Sequence, residues 1–276
     1  MLIKLVKYFA AIIKKCVGTL IWGLKALVTT DLKNHINKGN YPLLSILANG
    51  PSLSEELESI DLHNGDFSVL NFFYKSPLFN QIKPSIYVLA DPYFFTEEHI
   101  KPIFDLVHWS MTLFVPYRYW KRIHILRNCP NSFIKVLPYH TGHYLGYEFF
   151  RIWIYRHGLS MPIAQNVLVP SIFNAINLGY KEIRIYGADH SWTKTIRVNA
   201  ANEVCLVDSH FYDNNEEKLK PWKKLSGETY LMHEVLRDLA QMFDSYHYIR
   251  KYADEAGCRI INCTKNSFID AFERAN

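Results

Sequence analysis

The chain has 276 residues, of which 49% are hydrophobic and 21% charged, so it can bury a full core and is not a disordered segment. Its 31 basic and 26 acidic residues give a net charge of +5, but residues 34–276 hold 25 of each sign and are neutral. A neutral body argues against nucleic-acid binding, and we expect no nucleic-acid partner. Five cysteines without C-x-x-C spacing indicate neither a disulfide framework nor a zinc site, and they suit a reducing, cytoplasmic setting.

Residues 1–33 carry all of the excess positive charge, on one side of a predicted amphipathic helix. At 100° per residue its six lysines fall within an arc of about 100°, and the rest of the circumference is apolar. The longest stretch without charge, residues 16–24, has nine residues, whereas a membrane span needs roughly 20. We therefore predict a helix that lies in the membrane surface, peripheral on the cytoplasmic face of the inner membrane, with lysines toward anionic headgroups. The alternative is an amphipathic helix packed on its own domain.

Residues 34–276 are predicted to form a single nucleotide-binding α/β domain. After a polar connector at residues 34–40, short apolar runs alternate with helical patterns, which is typical of a doubly wound, mainly parallel sheet of the Rossmann-like type. The predicted strands are residues 41–47, 67–72, 85–90, 132–137, 181–186 and 258–262. The predicted helices are residues 54–60, 167–178, 228–255 and 267–274.

Residues 191–227 are polar and show no clear period. A segment of this length inside a compact domain is usually a functional lid or disordered. Ligands bind at the carboxyl ends of the strands in open α/β sheets, and we predict that residues 191–227 form a lid over that edge.

The turn Asn49-Gly50-Pro51-Ser52 follows the first predicted strand of the domain and precedes a helix. Glycine permits close backbone approach, proline starts the helix, and free N–H groups at the helix end attract phosphate. We predict nucleotide contact here.

Two histidines are candidate general bases. His190 follows the strand at residues 181–186, and His210 lies in the predicted lid. An unperturbed histidine pKa near 6.5 lets the ring accept a proton at neutral pH. Asp189, beside His190, is a third catalytic candidate, with a helix cap or structural partner as its alternative. No Asp-x-Asp pair occurs in the sequence, and we expect no metal cofactor.

Three stretches, residues 48–53, 175–189 and 258–268, together resemble the small bacterial sialyltransferases of glycosyltransferase family 42. The resemblance implies a GT-A-variant fold and a CMP-activated keto sugar acid as donor, sialic-acid-like or Kdo-like. By matching, Asn49 and Asn71 would contact the nucleotide, and Asp91 replaces a third asparagine of that family. Asn166 falls within the donor-holding stretch, Tyr212 would supply a phosphate-holding hydroxyl, and His210 would be the base.

The resemblance implies an inverting, metal-independent transfer to a hydroxyl of a membrane-associated glycan acceptor in surface polysaccharide synthesis. Relatives in that family often assemble, so a homo-oligomer is an open alternative. Two other readings also stay open. One is a Mg²⁺- and ATP-dependent pyrophosphokinase-like enzyme on the same frame, and the other is a membrane-bound nucleotide-binding adapter without chemistry.

Overall fold

The computed structural model describes residues 2–29, 42–62, 65–207, 219–224 and 226–275. Its centre is an eight-stranded sheet in which every neighbouring pair is parallel. The strands are β1 (Leu43–Leu47), β2 (Asp66–Leu70), β3 (Ile86–Val88), β4 (Met111–Pro116), β5 (Ile134–Tyr139), β6 (Glu182–Tyr186), β10 (Arg259–Asn262) and β11 (Glu273–Arg274). The remaining strands, β7 (Arg197–Val198), β8 (Val204–Val207) and β9 (Leu219–Pro221), form a separate antiparallel sheet.

Helices cover both faces of the central sheet. They are α1 (Leu2–Val28), α2 (Leu53–Glu56), α3 (Leu78–Ile82), α4 (Glu97–Leu106), α5 (Tyr117–Arg122), α6 (His124–Arg127), α7 (Glu148–Arg156), α8 (Leu168–Leu178) and α9 (Met232–Ala256). Side chains that alternate along β1 point to opposite faces. Ile46 joins a core cluster with Phe173 of α8 and Tyr252 of α9, whereas Leu47 joins a second cluster with the α3 and α4 side chains. The predicted doubly wound, mainly parallel Rossmann-like class is therefore confirmed.

The strand order is β11-β10-β6-β1-β2-β3-β4-β5. From β1 the chain builds outward to β5, and it then returns to place β6 on the other side of β1. The loops that follow the neighbouring strands β1 and β6 consequently lead to opposite sides of the sheet. Open α/β sheets form their ligand crevice between two such loops, at the carboxyl ends of the strands.

The strands that were not predicted include β4 and β11 of the central sheet and all three strands of the small sheet, and one predicted helix is wrong. Strand β4 is a continuous run that is buried except at Thr112, so it lacks the alternation that marks a half-exposed strand. The helix expected at residues 267–274 is absent. Arg274 donates from Nη2 to the carbonyls of Ser267 and Ile269, and Ser267 Oγ accepts from Ile269 N at 3.2 Å. Side chains thus take the backbone groups that a helix would pair.

The predicted lid segment is partly regular. It starts with a short 3₁₀ helix, Trp192–Lys194, and its described part includes the antiparallel sheet β7-β8-β9. Residues 208–218 lie outside the described residues. The lid assignment itself stays a prediction.

Helix α1 packs on the domain through a face of small residues and one tryptophan. Trp22 is 7% exposed and lies edge-on to Tyr144, with ring centroids 6.2 Å apart. Thr19 Oγ1 lies 3.1 Å from the Tyr144 hydroxyl and accepts from Tyr147 N at 3.0 Å. At Gly18 the helix approaches so closely that a Cβ would stand 1.6 Å from the carbonyl oxygen of Leu145.

The opposite face of α1 is an exposed apolar surface. Its large side chains are about half exposed or more: Leu5, Val6, Phe9, Ile13, Val17, Leu20, Ile21, Leu24, Leu27 and Val28. The helix therefore docks on its domain without burying its apolar arc, because the docking uses the other side. No helix among the described residues is both long and apolar enough to cross a membrane.

Two glycines of α1 give a matched test of this docking. We expect Gly23→Ala, with open space at its Cβ position, to raise the free energy of unfolding by about 0.5–1 kcal/mol, since alanine is the better helix former. Gly18→Ala should instead lower it by about 1–3 kcal/mol, because backbone cannot yield to the new methyl group. Urea unfolding of both full-length variants in one detergent measures the difference. Equal effects would show that α1 does not dock in this way.

Candidate functional site

A cavity of about 270 Å³ lies at the carboxyl ends of β1, β2 and β6. Its position matches the crevice where the strand order reverses, and its volume is near the lower end of the about 300–1,000 Å³ of small-molecule sites. Seven residues predicted from the sequence line it: Asn49, Gly50, Pro51, Asn71, Asn166, Asp189 and His190. Ser191, Trp192 and Thr195 of the predicted lid add a wall that the sequence analysis did not identify.

Two asparagines at the ends of β1 and β2 line the cavity floor. Asn49 donates from Nδ2 to the carbonyl of Leu70 at 3.1 Å, and its Oδ1 is buried without a hydrogen-bond partner among the described residues. Asn71 has a φ of 42° and accepts at Oδ1 from the N–H groups of Ala90 and Asp91. The side-chain amide of Asn71 is thereby fixed by the end of β3.

Asn166 joins the start of α8 to the loop after β6. Its Oδ1 accepts from the N–H groups of Leu168 and Val169, which caps α8. Its Nδ2 donates to the Tyr246 hydroxyl at 2.9 Å and lies 3.1 Å from Nε2 of His190. The cap therefore also positions the neighbouring ring.

His190 is held as a neutral ring inside this network. Its Nε2 lies 2.6 Å from the Tyr246 hydroxyl, and its ring also forms a hydrogen bond with the backbone of Ala188. Burial lowers the pKa of His190 to about 3. A ring with both nitrogens occupied and so low a pKa is poorly suited to accept a proton at pH 7. This geometry fits a buried partner of Tyr246 and Asn166, and the assignment of His190 as a general base stays a prediction.

The turn after β1 does not offer its N–H groups to a phosphate. Gly50 N donates to the carbonyl of Gly187 at 2.8 Å, and Ser52 donates from N and Oγ to Oδ2 of Asp189 at 3.4 and 3.0 Å. A Cβ on Gly50 would stand 2.0 Å from that oxygen. Gly50 is thus required by the approach of the protein's own carboxylate. These contacts occupy N–H groups on which the predicted phosphate contact depends, and they fit the structural role named as the alternative for Asp189; both assignments stay predictions.

A buried glutamate that the sequence analysis missed holds these loops together. Glu56, in the single turn of α2, accepts from Gly187 N at 2.7 Å and from Lys265 N at 2.9 Å. It therefore ties α2 to the loops after β6 and β10. The only feature of the sequence that could have pointed to Glu56 is its position in the first helical turn after Gly50-Pro51. Acidic residues are common at helix starts, so this signal is weak.

The remaining predicted residues lie away from the cavity or outside the described part of the chain. Asp91 accepts at Oδ1 from Tyr93 N at 2.9 Å and caps a 3₁₀ helix, and it does not line the cavity. Ser52 reaches the cavity only through Asp189. His210 and Tyr212 lie outside the described residues, and their roles stay predictions.

The electrostatics of the described wall favour an uncharged group over a phosphate. The lining contains one carboxylate, that of Asp189, and its described residues include no lysine or arginine. Its other polar side chains are three asparagines, His190, Trp192 and the hydroxyls of Ser191 and Thr195. Among the described residues, no group of three or more histidine, cysteine, aspartate or glutamate side chains is arranged to hold a metal ion.

No protein-family model matches this chain, and no curated protein sequence matches it. The functional argument therefore depends on the site itself.

The low pKa of His190 makes stability depend on pH in a defined direction. Between the folded value of about 3 and the unfolded value of about 6.5, the unfolded chain binds more protons, so stability is complete above about pH 6.5 and falls toward pH 3. We expect His190→Gln to reduce this slope by up to about 1.4 kcal/mol per pH unit. Urea unfolding of both proteins across that pH window measures it.

Burial also lowers the pKa of His143, so this residue adds a slope of the same sign to both proteins. The difference between the two slopes therefore reports on His190. Identical slopes would mean that His190 is not buried as a neutral ring.

Proposed function

We propose that this protein is a glycosyltransferase whose nucleotide-sugar donor binds at the cavity over β1, β2 and β6. The observation that carries the proposal is the cavity at the switch point of the sheet, where Asn49 and Asn71 stand at the ends of β1 and β2. Side-chain amides at such a place can hydrogen-bond a nucleoside, whose base and ribose carry both donors and acceptors. Asn49 and Asn71 are also the residues to which the family resemblance assigns nucleotide contacts.

The nucleoside suits a wall without lysine or arginine, and the phosphate is proposed to lie toward the lid, where Tyr212 is the proposed contact. The donor is proposed to be a CMP-activated keto sugar acid. In the reaction, the acceptor hydroxyl oxygen bonds to the anomeric carbon as the bond from that carbon to phosphate oxygen breaks, and CMP leaves with the electron pair. His210 is proposed to take the hydroxyl proton. Displacement in one step inverts the anomeric centre.

The acceptor is proposed to be presented at a membrane surface that binds α1. Support comes from the apolar arc of α1, which faces away from the domain, and from the lysines of the same helix. An exposed apolar surface of this extent usually marks an interaction site. Lysines beside it suit anionic headgroups.

Nucleotide titration tests the donor site. We expect the full-length chain to bind CMP in EDTA more tightly than UDP, GDP or ATP, and Asn49→Ala to weaken CMP roughly tenfold, the loss of about one hydrogen bond. Asn80→Ala, at an exposed position on α3, is the matched control and should bind CMP as the wild type does. Isothermal calorimetry in EDTA and in Mg²⁺ measures all of these.

Mg²⁺-dependent ATP binding in that experiment would favour the pyrophosphokinase-like alternative. CMP binding without any transfer product, and without an effect of His210→Asn, would favour the adapter.

Liposome flotation tests the membrane surface. We expect the full-length chain to float with vesicles containing anionic lipid, and Phe9→Glu with Leu20→Glu to abolish flotation, since both side chains lie on the exposed arc. Leu236→Glu, which places the same charge at an exposed leucine of α9, should float normally. Equal flotation of all three proteins would contradict the assignment.

A further inference from the structure

A second cavity of about 200 Å³ adjoins the first. Asn166 and Trp192 line both cavities. The second cavity lies between one face of α9 and three aromatic residues, of which Trp192 and Trp222 belong to the predicted lid segment and Tyr230 follows it. Nothing in the donor proposal uses it.

Three aromatic rings form the walls of this cavity and stay partly exposed: Trp192, Trp222 and Tyr230. The rings of Trp222 and Tyr230 meet at 62° with centroids 5.9 Å apart, which makes a corner. Their backbones are fixed, because Trp222 N donates to the Val204 carbonyl and Tyr230 N to the Trp222 carbonyl, each at 2.8 Å. The backbone positions of the two aromatic residues are therefore set, and each ring offers a face to the cavity.

Polar groups are placed at the edge of these rings. Asp238 of α9 forms a side-chain hydrogen bond with Tyr230, and Gln165 and Asn166 bring amides to the rim. The lining includes a carboxylate and, among its described residues, no cation. Lys224 lies 5.5 Å from the Tyr230 ring centroid, but its ammonium is paired with Glu234 at 2.7 Å.

We propose that this second cavity binds a neutral sugar residue of the acceptor glycan. A pyranose has an apolar C–H face that packs against an aromatic ring, and a rim of hydroxyls that a carboxylate and amides recognise; Trp222 and Asp238 supply these two contacts. The carboxylate disfavours an acidic sugar. The assignment depends on the proposed transferase function, because it places the acceptor beside the donor cavity across Asn166 and Trp192.

Saturation-transfer NMR with simple glycosides tests this assignment on the full-length chain. The probes are methyl β-galactoside, methyl β-glucoside and methyl β-N-acetylglucosaminide, with methyl β-glucuronide as the acidic comparison. A phosphocholine detergent is used, so that no sugar headgroup competes. We expect transfer to at least one neutral glycoside and none to the glucuronide.

Two variants and a control locate the binding. Asp238→Asn and Trp222→Ala should each weaken the bound glycoside roughly tenfold. Leu236→Ala, at an exposed position on the same helix, should leave it unchanged. Asp238→Asn keeps the size of the side chain. An unchanged CMP affinity in the same sample shows that the variant protein is folded.

The outcomes separate the two proposals. No neutral glycoside binding in a wild type that binds CMP would overturn the sugar site alone. Glycoside binding that is sensitive to Asp238→Asn, in a protein that binds no CMP, would support a sugar site and reject the transferase. A further probe in the same NMR experiment is n-hexanol, which mimics a lipid chain. Saturation transfer to n-hexanol that Asp238→Asn leaves unchanged, together with no glycoside binding, would assign the cavity to a lipid chain and overturn the proposal.

Discussion

The loops around the candidate site are held in place by two carboxylates that accept hydrogen bonds from the protein's own backbone. Glu56 joins α2 to the loops that follow β6 and β10, and Asp189 closes over the turn after β1. Both accept backbone N–H groups, and such charge-assisted bonds are stronger than neutral ones. Loops that would otherwise vary independently are thereby fixed relative to the switch point. Because Ser52 N donates to Asp189, this N–H group at the start of α2 is not free to bind a phosphate.

This arrangement leaves the lining of the cavity without a lysine or arginine, and its one carboxylate, that of Asp189, is hydrogen-bonded by Ser52. Asn49 and Asn71 bring amides from the ends of β1 and β2, and Asn166 brings one from the start of α8. Such a lining suits the proposed nucleoside better than its phosphate, so the predicted lid would have to supply the contacts to the leaving group and exclude water. Trp192 and Trp222 of the same segment line the second cavity.

The sequence was enough to predict the parallel sheet and the edge at which the cavity forms, because apolar runs and turn residues are local signals. Asn49, Asn71 and Asn166 were correctly placed at that edge. The hydrogen-bond partners of Asp189 and His190 could not be predicted, because Ser52 and Tyr246 are 137 and 56 residues away in sequence. Strand β4 was not predicted, and residues 267–274 were predicted wrongly, for a related reason. Burial on both faces hides a period, and side-chain hydrogen bonds override helix propensity.

Helix α1 shows the same limit most clearly: it packs on its own domain, which was the alternative, whereas its place in a membrane surface stays a prediction. Periodicity identifies an apolar arc and a lysine arc, but it cannot show that small residues and Trp22 within the lysine side would form the docking face. With Trp22 in the core and the apolar arc exposed, a membrane that binds α1 also fixes the orientation of the domain. The site would then meet membrane-bound acceptors at high effective concentration without a flexible tether between membrane and sheet. Docking of α1 on the domain is the condition for that advantage, since a freely hinged helix would anchor the protein without orienting it.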